Sequence, residues 1–118
     1  MMKIIVVDDD AKTTELLLEY GVFGEEDVCA FHNPVEAIKY AANHAIDIAL
    51  IDSQTRVIDS LNVIRFIRRI RPSCIVYVFV TEAVDIDYFS VAHHVGAADF
   101  IHKPLRETSF SFLTGAET

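Results

Sequence analysis

The sequence predicts a doubly wound α/β domain built on a parallel sheet, and three observations carry that expectation. First, apolar runs without alternation recur along the chain: Ile4-Ile5-Val6-Val7, Ile48-Ala49-Leu50-Ile51, Ile75-Val76-Tyr77-Val78-Phe79-Val80 and the shorter Phe100-Ile101. A strand buried on both faces reads this way. Second, stretches with helical spacing separate the runs, and regular strand–helix alternation implies right-handed crossovers with helices on both faces. Third, each run ends in polar residues: Asp8-Asp9, Asp52, Thr81 and Lys103-Pro104. Ligands of open α/β sheets sit beyond the carboxyl ends of the strands, so these residues are expected to meet in space.

In chain order, strands are expected near 3–8, 27–31, 47–52, 74–80 and 98–102. Helices are expected near 11–20, 34–44, 60–70 and 84–95, with a short fifth after 105. Pro34 suits the first turn of the second helix, where its missing N–H costs nothing. That helix is expected to bury Val35, Ile38, Ala41, Ala42 and Ala45. The third is expected to bury Leu61, Ile64, Ile67 and Ile70 and to turn Arg65, Arg68, Arg69 and Arg71 to water. The fourth carries Tyr88, Val91, Ala92 and Val95 at helical spacing. Gly21, Gly24 and Gly96 punctuate helix ends. The tail, Leu105 to Thr118, is rich in Ser and Phe, and Phe110 and Phe112 are expected either to cover the core or to dock on a neighbour.

The 118 residues read as one domain, 1–118, compatible with being a module of a longer protein. A hydrophobic fraction of 52% excludes disorder. A net charge of −8 argues against direct nucleic-acid binding and suits a metal cation or a basic partner surface. Cys29 and Cys74 lack metal-ligand spacing and lie in apolar surroundings, as buried thiols of a reducing compartment do. No signal peptide or membrane-length apolar run is visible, so a cytoplasmic location is expected. His93 and His94 are adjacent, and His32, His44 and His102 have no mutual spacing that implies a metal site.

An aspartate can attack phosphorus to form an acyl phosphate, and phosphoryl transfer is catalysed mainly by positioning and charge. Mg²⁺ favours a few carboxylates plus water. Asp8, Asp9 and Asp52 supply carboxylates at two strand ends, Lys103 a point charge and Thr81 a hydroxyl, which together make a phosphoacceptor site.

These residues and their spacing resemble the receiver domain of bacterial two-component response regulators. The resemblance rests on Ile5-Val6-Val7-Asp8-Asp9-Asp10, on Asp47 through Asp52 with Asp59 following, on Val80-Thr81, and on Gly96 through Pro104. It implies a flavodoxin-like five-stranded sheet of order 2-1-3-4-5. It also implies that Asp52 is the phosphoacceptor, and that Asp8, Asp9, Asp52 and the backbone carbonyl of Gln54 bind Mg²⁺. Thr81, Lys103 and Phe100 then match the phosphoryl-binding and switch residues, and Pro104 the cis-proline that aims Lys103. Such a domain takes a phosphoryl group from a histidine kinase or phosphotransfer protein and is a signalling switch rather than an enzyme with a metabolic substrate. The implied output surface is the fourth helix, fifth strand and fifth helix, which meets an effector domain or downstream protein; a homodimer is left open.

Three departures from the family pattern stand out. The usual apolar pair, proline and glycine after the phosphoacceptor are replaced by Gln54, Thr55, Arg56 and Val57, and Ser60 stands where a glycine is expected after Asp59. The residue after the switch threonine, usually small, is Glu82, expected to repel and crowd a phosphodonor. The chain is also short after Pro104. Arg56 and Glu82 are therefore access-modulating candidates. They keep open a second reading, a degenerate receiver acting as a phosphorylation-independent interaction module. A remote third, an aspartyl-phosphate phosphatase similar to haloacid dehalogenases, leaves Asp52 without a role and finds Lys12 where that family wants Thr or Val.

Overall fold

A computed structural model of the protein describes residues 2–20 and 23–113. Five strands form one parallel sheet: β1 (Ile4–Val7), β2 (Val28–Phe31), β3 (Ile48–Asp52), β4 (Ile75–Val80) and β5 (Ala97–His102). Their order is β2-β1-β3-β4-β5, as the resemblance implied. The four helices are α1 (Ala11–Glu19), α2 (Pro34–Asn43), α3 (Ser60–Ile70) and α4 (Ile86–Val95).

One sheet face carries Ile5, Val7, Ala49, Ile51, Val76, Val78 and Val80 and packs against α2, α3 and α4 through Ala37, Val63, Ile64, Ile67 and Ala92. The other presents Ile4, Val6, Leu50, Phe79 and Ile101 to Leu17 of α1 and to Phe110. β1 and the first four residues of β3 are buried throughout, which is why their apolar runs do not alternate. Asp10, Asn33, Asp59 and Asp85 cap α1 to α4 with side-chain oxygens on backbone N–H groups of the first turn.

Several expectations need correction. Among the described residues no fifth α-helix follows β5; after Pro104 the only regular element is a 3₁₀ turn, Ser111–Leu113. Within residues 105–113 the chain supplies apolar cover instead. Phe110 is fully buried and edge-on to Phe79 at 6.2 Å, and Phe112 is edge-on to Tyr77 at 4.9 Å. In α2, Ala37 is buried beside Ala41, while Ala42 and Ala45 are exposed; the helix ends at Asn43, so Ala45 leaves its apolar stripe. In α4, Val91 is exposed. That helix starts two residues later than expected because Asp85 is its cap.

Two arginines of α3 do not simply face water. Arg68 Nη1 donates to the carbonyls of Pro72 and, at 2.7 Å, Cys74, while Arg71 Nε donates to Ala41 O at 2.8 Å, so both tie the end of α3 to its surroundings. Gly96 caps α4 at φ 132°, and a Cβ there would stand 2.7 Å from Arg68 Cγ, so conformation and space both favour glycine. Gly24 caps a 3₁₀ turn, whereas Gly21 lies outside the described residues. Both cysteines are free; Cys74 is buried, with its thiol pushed up to about 11 by that burial, and Cys29 is only half-buried. No helix among the described residues is long and apolar enough to cross a membrane.

Candidate functional site

The carboxyl ends of β1, β3, β4 and β5 open on one edge of the sheet, and the polar residues singled out in the sequence gather there. Asp8 continues the buried line of β1, with its side chain only 3% exposed. Its carboxylate is fully engaged: Oδ1 accepts from Asp10 N at 2.9 Å, and Oδ2 accepts from Thr13 Oγ1 and Lys103 Nζ, both at 2.7 Å. Lys103 Nζ also lies 3.2 Å from Asp52 Oδ1, so one ammonium bridges carboxylates from two neighbouring strands. The main chain brings it there. Lys103 N donates to Val80 O at 2.8 Å just past β5, and the Lys103–Pro104 peptide is cis. Its ammonium also sits 5.5 Å from the centre of the Phe79 ring.

Asp52 closes β3. Burial, then the charge of Asp8, hold its carboxyl above the usual range, and Lys103 offsets only part of this. Burial alone would lower the Lys103 ammonium, but the hydrogen bond it donates to Asp8 and the charge of Asp52 outweigh this and raise the group. Gln54 N donates to Asp52 Oδ2 at 3.3 Å, placing Gln54 beside the acceptor. Thr81 directly follows β4; its Oγ1 accepts from Ala83 N at 3.3 Å, as a turn hydroxyl does. Thr81, the exposed Glu82, Lys103 and Pro104 line one open depression next to the ion-paired cluster.

Asp9 points elsewhere. Its Oδ2 is 2.8 Å from Arg56 Nε, in a pair where Arg56 is 83% and Asp9 40% exposed. Phe100 is separate from the charged cluster: it packs against the α2–α4 layer, edge-on to Phe89 of α4 at 4.8 Å. The donors fit a hard divalent cation in kind, since Asp8, Asp9, Asp52 and the Gln54 carbonyl offer only oxygen. Among the described residues no three His, Cys, Asp or Glu side chains are already gathered around a metal-sized point; Lys103 pairs with Asp8 and Asp52, and Arg56 with Asp9.

Sequence reasoning missed Thr13, Ser60 and Tyr88. Thr13 is buried in the first turn of α1 with its hydroxyl on Asp8; a Thr three residues past the Asp10 cap was the available signal. Ser60, in place of the expected glycine, donates to Ser53 O at 2.9 Å and lies 2.6 Å from Tyr88 Oη on α4. Burial is the main cause that raises the Tyr88 phenol. No local pattern announces a contact between α3 and α4.

A family model for the response regulator receiver domain matches residues 4–111. Among characterised proteins, a cyclic di-GMP phosphodiesterase of Thermotoga maritima is 31% identical over 104 residues. That match covers 88% of this chain but only 27% of the relative, so the chain spans about a quarter of its length. A response regulator from Thermotoga maritima superposes with TM-score 0.77 at 28% identity, over 98% of this chain and 93% of that one. The beryllofluoride-activated NtrC4 receiver domain dimer gives 0.83 at 25% identity, over 98% and 95%.

Proposed function

This chain belongs to the response regulator receiver domain family, and on that footing we propose that Asp52 is its phosphoacceptor, served by Asp8, Asp9, Thr81 and Lys103. The single observation that carries this reading is the Lys103 ammonium bridging Asp8 and Asp52 across two strands. An Asp52 carboxylate oxygen would attack the phosphorus of a phosphohistidine on a histidine kinase or phosphotransfer protein. The O–P bond forms as the P–N bond breaks, and the imidazole, its other ring nitrogen protonated by solvent, leaves as a neutral ring. Lys103, 3.2 Å from Asp52 Oδ1, would then hold a phosphoryl oxygen.

Asp8, Asp9, Asp52 and the Gln54 carbonyl would hold Mg²⁺, which supplies charge neutralisation for the phosphoryl oxygens. Thr81 lines a depression shared with Lys103 and would donate its hydroxyl after leaving Ala83 N. Phe100, packed on Phe89 of α4, is the residue through which a shift at Thr81 would reach the α4–β5 surface. The partner at that surface would be an effector domain or a second receiver. Activation by beryllofluoride and dimer formation belong to the NtrC4 relative and motivate the same expectations here.

Incubation with acetyl phosphate and Mg²⁺ should add one phosphoryl group by intact mass, and none in Asp52→Asn or without the metal. Glu82→Ala should label faster, since an exposed carboxylate at the mouth repels an anionic donor. If wild type, Glu82→Ala and a beryllofluoride titration all fail to respond, the phosphoacceptor reading is wrong and the interaction-module reading takes its place.

A further inference from the structure

The loop between β3 and α3 is closed on itself. Thr55 Oγ1 donates to Ile58 O at 2.7 Å, Ile58 N donates to Arg56 O at 2.7 Å, and Ser60 Oγ donates to Ser53 O at 2.9 Å. The bond from Ile58 to Arg56 spans a single residue, Val57, at φ 72°. This is the γ-turn of positive φ, rare in any sequence and strained for a β-branched side chain. Val57 itself is 79% exposed, so no burial of its side chain compensates for that conformation. What the loop does hold is Arg56, its guanidinium 2.8 Å from Asp9.

We propose that Arg56 is a tethered internal cation that competes with the divalent metal for Asp9 and so sets the metal affinity of the site. The inference rests on the phosphoacceptor reading above, in which Asp9 is a metal ligand. Lys103 is already paired with the buried Asp8 and Asp52, which leaves the more exposed Asp9 as the carboxylate most open to an incoming cation. Arg56 occupies it. A metal that takes Asp9 must displace the guanidinium, or accept a second positive charge on the same carboxylate. Because the pair faces solvent, its hold is weak and screened by salt. Arg56 is therefore an attenuator rather than a block.

The test is a Mg²⁺ titration of the whole chain, followed by amide chemical shifts at Asp8, Asp9 and Asp52, for wild type, Arg56→Ala and Arg56→Lys. Arg56→Ala should bind Mg²⁺ about 1.4- to fivefold more tightly, the span expected from an exposed ion pair of ~0.2–1 kcal/mol converted to a ratio. Arg56→Lys should fall back toward wild type. The gap between Ala and wild type should narrow as salt is raised and the Debye length shrinks. Unchanged or weaker Mg²⁺ affinity in Arg56→Ala, with wild type binding the metal, overturns the proposal alone. Mg²⁺ binding by none of the three overturns the phosphoacceptor reading and this inference with it. Spectra that keep the wild-type dispersion establish that the exposed substitutions leave the fold intact.

Discussion

Replacing Lys103 by Met removes the ammonium while keeping an unbranched stem against the Phe79 ring. Its partners are poorly hydrated: the side chains of Lys103, Asp8 and Asp52 are 19%, 3% and 13% exposed. Removing one member of a buried pair costs about 3–5 kcal/mol, because the remaining charges stay desolvated and unpaired. Partial exposure of Lys103 and Asp52 discounts this to about 2–4 kcal/mol. For a domain stabilised by about 5–15 kcal/mol, that is a large fraction, and at about 3–6 °C per kcal/mol it lowers Tm by about 6–24 °C.

The loss should depend on pH with a defined sign. Asp52 is already raised by burial and by Asp8, and without Lys103 it rises further. The folded variant then binds a proton that the unfolded chain, with Asp near 3.9, does not. Its deficit is full near neutral pH and shrinks as pH falls toward about 3.9. In the wild type, the Lys103 ammonium is raised in the folded state, so its contribution is complete below about 10.5 and is lost only as pH rises through the folded value. The assay is thermal unfolding by circular dichroism near pH 8 and near pH 5, for wild type, Lys103→Met and the double variant Asp52→Asn/Lys103→Met. The double variant should recover only part of the loss, because Asp8 stays buried without its cation. A deficit below about 1 kcal/mol, or one that is the same at both pH values, would refute the reasoning.

Other consequences follow from the same geometry. Asp52→Asn should stabilise the fold at neutral pH, because the folded carboxyl is raised: its penalty builds as pH rises from about 3.9 through the folded value and is absent below it. Urea midpoints at about pH 7 and pH 3.5 check this, and a destabilised variant at neutral pH would contradict it. Val57→Gly should gain about 0.5–1 kcal/mol in urea unfolding, since relief of the positive-φ strain exceeds glycine's entropy cost. Ser60→Ala should lose about 1–2 kcal/mol by leaving Ser53 O and Tyr88 Oη without their shared partner. In the Tyr88→Phe background that loss should be smaller, and equal losses in both backgrounds would mean the two hydroxyls are not coupled.

The sheet was legible in the sequence because its signals are local. Ile4 to Val7 and Ile48 to Ile51 are apolar on both faces, which only an internal parallel strand requires. The gathering of Asp8, Asp52 and Lys103 was legible for a related reason: each ends an apolar run, and parallel strands deliver their carboxyl ends to one edge. The placement of each polar group was decided by contacts distant in the chain. Lys103 and Asp8 are 95 positions apart, and only their meeting separates Asp8, turned inward, from Asp10, which caps α1.

The same holds for the departures. Spacing left Arg56 either on an anion or in water, and tertiary structure put it on Asp9. A short fifth helix fitted the length of the tail, but Phe79 and Tyr77 offer apolar surface that Phe110 and Phe112 cover, and burial of those rings outweighed weak helical propensity. Pattern and spacing in this chain thus determined the strands, most of the helices and the edge where chemistry can occur. Which carboxylate pairs with which cation, and how the tail is spent, depended on long-range packing and charge, because those energies exist only once distant segments are brought together.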